Sequence, residues 1–249
     1  VLKMGVILTE EQKKSPLMKY YERDIKQVPP ALFEQIMGGS WNDGDALLFK
    51  DVNRLFDEGY LPGEFGVFHL PSGGISIANC TPMPGVTPEM FDWWFAWHSL
   101  DPLRYTIWDK DDHYYCKTRN PEIALNDSLS MRERLWNTTH DVKETMIEGA
   151  PMAEIVISFL PPEKMGFDPE KLAAFDGTIV CGPNMVHFLR PVEGGCELRT
   201  RFWFEDPDGP SDEMFAKALL IHSIKEFTHL AEILPEIYEE YKDNFTVGL

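Results

Sequence analysis

The C-terminal segment constrains the fold more than any other part of the chain. Residues 211–241 read SDEMFAKALLIHSIKEFTHLAEILPEIYEEY, a helical pattern whose apolar residues occur on nearly all sides. Asp212 and Glu213 suit the positively polarised first turn of such a helix, and Pro235 predicts a kink near its end. A helix that is apolar all round has to be enclosed by other elements.

A series of predicted strands precedes this helix. EFGVFHL and GISIANC flank the turn-forming sequence Pro71-Ser72-Gly73-Gly74, which predicts a hairpin. The sequence TPEMFDWWFAWHS (residues 87–99) instead predicts a short aromatic-rich helix. Further strands are predicted at LRYTIW, HYYCKT, HDVKETM, EIVISFL, GTIVCG, MVHFLRP and ELRTRFWF. Strands first and a helix last indicate an α+β fold, a curved antiparallel sheet around one long C-terminal helix with a cavity between them.

The N-terminal region has a different pattern. Residues 10–60 predict short helices, broken by Pro29-Pro30 and by Gly38-Gly39. We therefore expect residues 1–62 to form an N-terminal helical extension and residues 63–249 to form the main domain. The extension is apolar but too short for a core of its own, so we expect it to lie between the subunits of a homodimer.

Charge and composition limit the partners. A net charge of −18 argues against nucleic acids and anionic membrane surfaces, and favours a small-molecule substrate. The four cysteines show no CxxC spacing, which is typical of reduced thiols. No stretch approaches the roughly 18 apolar residues of a membrane span, and the charged N-terminus is unlike a signal peptide. These features predict a cytoplasmic protein without a membrane partner.

Ionisable residues interrupt one apolar stripe of the C-terminal helix. At about 100° per residue, His222 and Glu226 lie on the same stripe as Leu219 and Ile233. A buried carboxylate needs a cation or a strong donor beside it. His222 and Glu226, one turn apart, could share a metal ion. The alternative is an ordinary ion pair within the helix, because an HxxxE pair by itself is a weak metal signature.

Candidate partners occur on the predicted strands. In HDVKETM, alternation places Glu144 on the same face as Val142 and Met146, although it could instead lie at a solvated rim. The same two interpretations apply to His113, which opens HYYCKT. His187 points inward from MVHFL, either as a core histidine or as a proton-transfer group. The sequence favours packing roles for the remaining strand and loop histidines and for His98.

Four segments in order resemble one enzyme family. TPEMFDWWFAWHS, RYTIWDKDDHYYC, NTTHDVKE and the HSIKE helix are together similar to the phloretin hydrolases and diacetylphloroglucinol hydrolases, from about Pro30 to the end of the chain. The resemblance implies a helix-grip fold, similar to the birch-pollen-allergen and START-type proteins. It also implies a Zn²⁺ ion held by two histidines and two glutamates, at the positions of His113, Glu144, His222 and Glu226.

The same resemblance suggests how the substrate is bound. It implies that Tyr105 binds a ring hydroxyl and that His187 lies near the substrate. Two positions depart from the diacetylphloroglucinol enzyme. Cys116 stands where that enzyme has an amide, and its second substrate tyrosine is replaced here within FWF, by Phe202 or Trp203. These departures favour a different acylphloroglucinol, such as phloretin.

The implied reaction is hydrolysis of a carbon–carbon bond in a ketone. Two imidazoles and two carboxylates suit zinc, which would polarise the acyl carbonyl and activate water. The ring carbon would leave as its charge spreads onto the flanking hydroxyls, giving a carboxylic acid and the deacylated phenol. Two alternatives stay open: a non-catalytic helix-grip protein that encloses a hydrophobic ligand, and a zinc esterase or amidase.

Overall fold

The structure is a computed structural model that describes residues 5–205 and 212–249. Its α-helices are α1 (Met18–Tyr21), α2 (Pro30–Gly38), α3 (Pro88–Trp97), α4 (Pro102–Thr106), α5 (Pro121–Ala124), α6 (Pro169–Ala174) and α7 (Glu213–Tyr241). Its strands are β1 (Gly66–His69), β2 (Ile75–Pro84), β3 (His113–Thr118), β4 (Thr138–Glu144), β5 (Ala153–Phe159), β6 (Thr178–Gly182), β7 (Met185–Val192) and β8 (Gly195–Phe204). Short 3₁₀ helices occupy Gln12–Lys14, Asp43–Asp45, Phe49–Phe56, His98–Leu100 and Pro162–Met165.

The strands form two antiparallel sheets. One has the order β1-β2-β8-β7-β6 and the other the order β3-β4-β5. An isolated antiparallel bridge between Leu160 and Cys181 joins the chain just after β5 to β6. The predicted hairpin is β1-β2, with His69 opposite Ile75 and with Gly73 at φ +88°, a left-handed conformation that favours glycine. Two antiparallel sheets, joined by the Leu160–Cys181 bridge, occur together with the helices and confirm the α+β class.

Helix α7 is the predicted enclosed helix. Asp212 is its N-cap, accepting a hydrogen bond from the backbone of Met214, whereas Ser211 lies outside the described residues. Leu220, Leu230 and Ile233 are fully buried. Buried side chains occur on all sides of its middle turns because α7 lies against β1 and β2 and against helices α2 and α3. Pro235 lies inside the helix, which continues to Tyr241.

The strand predicted at LRYTIW is wrong. Residues 102–106 form α4, because Asp101 caps the helix by accepting the Leu103 N–H at 2.8 Å and Pro102 occupies its first position. The alternating apolar residues suggested a strand, but an Asp-Pro start is a helix signal that outweighs five residues of alternation. This correction matters because α4 carries Tyr105.

The aromatic helix α3 is confirmed. Thr87 caps it and Pro88 begins it. Trp93 and Trp97 stack with ring centroids 4.8 Å apart, and the guanidinium of the buried Arg104 lies over Trp97 at 4.1 Å. These contacts hold α3 and α4 together, and they thereby fix the position at which the segment after α4 begins.

The N-terminal region is attached to the rest of this chain. Leu17, Tyr20 and Ile36 are buried in the same apolar core as α7. The ammonium of Lys217 on α7 donates to the backbone carbonyls of Met37 and Gly39, each at 3.0 Å. The division at residue 62 and the dimer contact remain predictions. None of the helices in residues 5–205 and 212–249 is long and apolar enough to cross a membrane.

Candidate metal centre

A β-bulge brings the first two candidate ligands opposite each other. His113 pairs with Glu144, but the register shifts between His113 and Tyr115, so that two residues of β3 face one residue of β4. Regular alternation would place His113 and Cys116 on opposite faces. Because of the bulge, both side chains are buried on the inner side.

The four predicted ligands converge on one point. Nε2 of His113 lies 3.4 Å from Nε2 of His222 and 3.1 Å from Oε2 of Glu226. Oε2 of Glu144 lies 3.9 Å from Nε2 of His113 and 3.7 Å from Nε2 of His222. Within α7, Nε2 of His222 and Oε2 of Glu226 are 3.3 Å apart. Strands β3 and β4 and helix α7 therefore each direct ligand atoms to the same small volume.

The electrostatics of the cluster favour a positive charge among its carboxylates. Burial would lower the pKa of His222, but the carboxylates of Glu226 and Glu144 raise it to about 10. Burial would likewise raise the pKa of Glu226, but His222 and His113 hold it at about 2. Two buried carboxylates therefore require positive charge beside them. A divalent cation would supply that charge in place of the imidazolium proton.

The residues fit a tetrahedral zinc ion. Zinc bonds of about 2.0 to 2.2 Å to nitrogen and oxygen place neighbouring ligand atoms roughly 3.4 Å apart at tetrahedral angles. The measured separations run from 3.1 to 3.9 Å. Two imidazoles and two carboxylates are also a donor set that zinc accepts. The ligand set drawn from the resemblance is thus brought together in space, and the assignment of the ion remains a proposal.

Tyr105 lies directly against these ligands. Its ring stacks on the imidazole of His113 with centroids 3.8 Å apart, and its hydroxyl donates a short hydrogen bond to Oε2 of Glu144. The backbone carbonyl of Tyr105 lies 3.1 Å from Nδ1 of His113, which identifies Nδ1 as the protonated nitrogen of that ring. Burial, together with the charge of Glu144, raises the pKa of the Tyr105 hydroxyl well above its usual value.

An acidic loop with a buried lysine lies behind the cluster. The ammonium of Lys225 is 3.3 Å from Oδ1 of Asp109 and contacts the carboxylate of Asp112. Burial opposes the charge of Lys225, but these carboxylates raise its pKa above the ordinary value. One oxygen of Asp109 and one ring nitrogen each of His113 and His222 lie within 4.8 Å of one another. Sequence reasoning missed Asp109, although the acidic run before His113 is a visible signal.

His187 lies deeper in the interior, and no hydrogen bond of the described residues joins it to the four ligands. Its Nδ1 is 3.0 Å from the hydroxyl of Thr200, and its ring lies 4.8 Å from that of Phe227. Burial lowers the pKa of His187 to about 4, so the imidazole is neutral at physiological pH. Phe202 lies beside it at 5.9 Å, whereas Trp203 belongs to the core cluster on the other face of the sheet. Of the two candidates in the FWF sequence, Phe202 is therefore the one that faces the site.

A second group of buried polar side chains lies next to Tyr105. Ligand-type atoms of His98, Cys116 and His140 lie within 4.8 Å of one another. Sγ of Cys116 is 3.9 Å from Nδ1 of His140, and the ring of His98 is 6.0 Å from that of Tyr105. Burial raises the pKa of the Cys116 thiol and lowers those of both imidazoles, so this group is uncharged at neutral pH. Sequence reasoning gave His98 and His140 structural roles and did not place them with Cys116.

A cavity of about 530 Å³ reaches the cluster from the surface. Its walls are formed by Val28 and Phe33 of the N-terminal region, by residues 145–150 after β4, and by Ile221 and His222 of α7. Its size lies within the range of small-molecule sites. The N-terminal region therefore contributes to the approach to the candidate metal centre.

Comparison with known proteins identifies the family. Residues 47–239 match the family described as the DAPG hydrolase PhiG domain. The phloretin hydrolase of Eubacterium ramulus is 34% identical over an alignment that covers 98% of this chain and 96% of that protein. The 2,4-diacetylphloroglucinol hydrolase of a Pseudomonas species is 27% identical, over 92% of this chain and 89% of that protein. The corresponding enzyme of Pseudomonas protegens is also 27% identical, over 92% of this chain and 85% of that protein. The chain therefore belongs to the DAPG hydrolase family.

Proposed function

We propose that this protein is a zinc-dependent hydrolase that cleaves the carbon–carbon bond between an acyl group and a phloroglucinol-type ring. The observation that carries the proposal is the convergence of His113, Glu144, His222 and Glu226 at tetrahedral spacing. Family membership supports the reaction class, since the similar proteins bear the names phloretin hydrolase and 2,4-diacetylphloroglucinol hydrolase. At 34% against 27% identity, phloretin is the favoured substrate.

The metal ion and the protein would have different roles in the reaction. A zinc ion held by the four residues would have to accept a further oxygen ligand beside them, and it would then polarise the acyl carbonyl and activate a water molecule. The protein itself shields the four ligands from bulk solvent: His113 is fully buried, and His222, Glu144 and Glu226 are less than one-tenth exposed. Hydrogen bonds and charges act more strongly in such a site than in water.

Tyr105 is the group best placed to bind a ring hydroxyl. Its hydroxyl adjoins the metal ligands, and its high pKa keeps it a proton donor. Turned from Glu144 to the substrate, this single O–H would stabilise charge on the ring oxygens as the ring carbon leaves. His187 is neutral and buried among aromatic rings, a state suited to exchanging one proton with the substrate. We assign Tyr105 its role because its hydroxyl contacts Glu144. We assign His187 its role because it is buried beside Phe227.

The remaining features fit the same proposal. We propose that the sheets and α7 form a helix-grip fold, in which the helix closes one side of the substrate site. We also propose that the protein acts in the cytoplasm as a homodimer, with residues 1–62 at the contact. Ile7, 88% exposed, is an apolar residue of that region without cover in the subunit.

Product analysis with matched substrates tests the function. Purified zinc-loaded protein should release the carboxylic acid and the deacylated ring from phloretin or an acetylphloroglucinol. Acetophenone should be inert, because no ring oxygens can take up the charge of its leaving carbon. Methylating both hydroxyls ortho to the acyl group should lower the rate by roughly a hundredfold or more, about 3 kcal/mol. Rapid hydrolysis of phenyl esters with every acylphloroglucinol intact would favour the esterase, and binding without turnover would favour a binding protein.

A further inference from the structure

The two candidate histidine ligands differ in how their second ring nitrogens are held. Nδ1 of His113 is bonded to the backbone carbonyl of Tyr105 at 3.1 Å. Nδ1 of His222 is buried and has no hydrogen-bond partner among residues 5–205 and 212–249. A histidine that binds a metal through Nε2 carries its proton on Nδ1. The buried N–H of His222 then needs an acceptor, because an unmade hydrogen bond in the interior costs roughly 1 to 3 kcal/mol.

Asp109 offers a carboxylate oxygen that could accept this hydrogen bond. Its side chain is fully buried, and Oδ2 has no partner in the described part of the chain. Oδ1 is engaged, since it accepts the Asp111 N–H at 3.1 Å and lies 3.3 Å from the ammonium of Lys225. A carboxylate oxygen of Asp109 lies within 4.8 Å of a ring nitrogen of His222. The two side chains are therefore neighbours, and a rotation of the carboxylate or one bridging water molecule would join Oδ2 to Nδ1.

From this pair of unpartnered atoms we infer that Asp109 is the positioning residue for His222. Oδ2 of Asp109 accepts the Nδ1–H of His222, directly or through one water, when Nε2 of His222 holds the metal ion. The inference rests on the proposed function in requiring the metal at Nε2. It adds a carboxylate that fixes the orientation of one ligand and makes that ligand more basic.

Lys225 gives the buried Asp109 a charged partner. Its ammonium lies 3.3 Å from Oδ1 of Asp109 and also contacts the carboxylate of Asp112, which leaves Oδ2 of Asp109 to face the imidazole. One other imidazole interacts with the charge of Asp109: both ring nitrogens of the buried His229 also lack hydrogen-bond partners in the described residues. His229 faces Glu232 at 3.7 Å, which offers it a carboxylate of its own.

Two substitutions that remove the same charge separate this role from a merely structural one. Asp109→Asn replaces the proposed acceptor of the His222 hydrogen bond with an amide. Asp112→Asn also removes a carboxylate partner of Lys225, but it leaves the proposed acceptor of His222 in place. Zinc affinity, measured by competition with a chromogenic chelator, should fall 10- to 100-fold in Asp109→Asn and stay within about twofold in Asp112→Asn. The unfolding temperatures of the metal-free variants should be similar. Equal zinc affinities in the two variants would overturn the inference.

A measurement on the unaltered protein covers the case in which Asp109→Asn does not fold. In a crystal structure of the zinc-bound protein, Oδ2 of Asp109 should lie within about 3.2 Å of Nδ1 of His222, or share one water with it. The inference fails if Asp109 binds the zinc itself or pairs with His229 instead. Wild-type protein that binds no zinc would refute the proposed function. If the wild type binds zinc and Asp109→Asn binds it equally well, only this inference is refuted.

Discussion

The hydroxyl of Tyr105 donates a hydrogen bond to Oε2 of Glu144, the same oxygen that faces Nε2 of both His113 and His222. The candidate substrate-binding residue is therefore connected to the candidate metal site by one oxygen atom. Its ring, stacked on His113, cannot move without disturbing that ligand.

Removing only this hydroxyl should separate catalysis from metal binding. We expect Tyr105→Phe to keep one zinc per chain, because the ring stack on His113 is retained, and to lower kcat about a hundredfold through loss of a donor to the developing charge. Tyr60→Phe is the matched control, since Tyr60 also donates to a glutamate, Glu197, at 2.8 Å. Metal analysis and steady-state kinetics are the measurements. An unchanged kcat in Tyr105→Phe would remove this residue from the mechanism.

The metal assignment is tested on α7. Glu226→Gln should lose most of its zinc and its activity together, because a neutral amide binds the ion poorly and leaves His222 without its carboxylate partner. Glu232→Gln, on the same helix with a side chain 51% exposed, should keep both. Elemental analysis of the folded proteins gives the result. A folded Glu226→Gln with full zinc content and full turnover would show that the four-ligand assignment is wrong.

Cys116 should influence which acylphloroglucinol is used. The resemblance places an amide at this position in the diacetylphloroglucinol enzyme, and here the thiol lies 3.9 Å from His140 beside Tyr105. We expect Cys116→Asn to raise the ratio of kcat/KM for diacetylphloroglucinol to that for phloretin by about tenfold, through a new polar contact with the ring. Cys80→Asn, outside the site, should leave the ratio unchanged. Competition between the two substrates measures it directly, and a constant ratio would contradict the prediction.

Glu64 should make the protein sensitive to acid. Burial opposes its charge, but Arg199 and Arg201 lower its pKa to about 2, from 4.5 in the unfolded chain. A lowered carboxyl pKa stabilises the fold above pH 4.5, and this contribution is lost as pH falls from 4.5 towards 2. Between pH 6 and pH 3.5, the advantage of the wild type over Glu64→Gln in free energy of unfolding should therefore shrink by about 1 kcal/mol.

Urea denaturation of both proteins across this pH range measures the difference. Comparing the two proteins cancels the other carboxylates, which titrate in both. A gap that stays constant from pH 6 to pH 3.5 would contradict the lowered pKa of Glu64.

The predicted homodimer is open to a direct test. The wild-type protein should have twice the mass of the chain at micromolar concentration, because Ile7, Phe33 and Tyr60 expose apolar surface that a second subunit would cover. Ile7→Asp should shift the protein towards monomer, whereas Val156→Asp, at a residue 57% exposed on β5, should not. Multi-angle light scattering gives the masses. A monomeric wild type would remove the claim.

The sequence by itself determined the elements whose patterns are long or strongly marked. The enclosed helix α7, the aromatic helix α3 and the β1-β2 hairpin follow from periodicity, capping residues and turn residues, which act within a few positions. The inward direction of Glu144 and the shared stripe of His222 and Glu226 follow from the same local geometry. The alternation in LRYTIW failed because an Asp-Pro cap, also local, favoured a helix there.

Only the tertiary structure decided which of these residues meet. The bulge in β3 turns His113 and Cys116 to the same side, although strict alternation separates them. Asp109 lies near His222 because the loop after α4 passes beside α7. The two residues are more than a hundred positions apart in the chain. Strand register and the seating of a helix on a sheet are set by burial of the whole core, a sum over distant contacts that no local pattern contains.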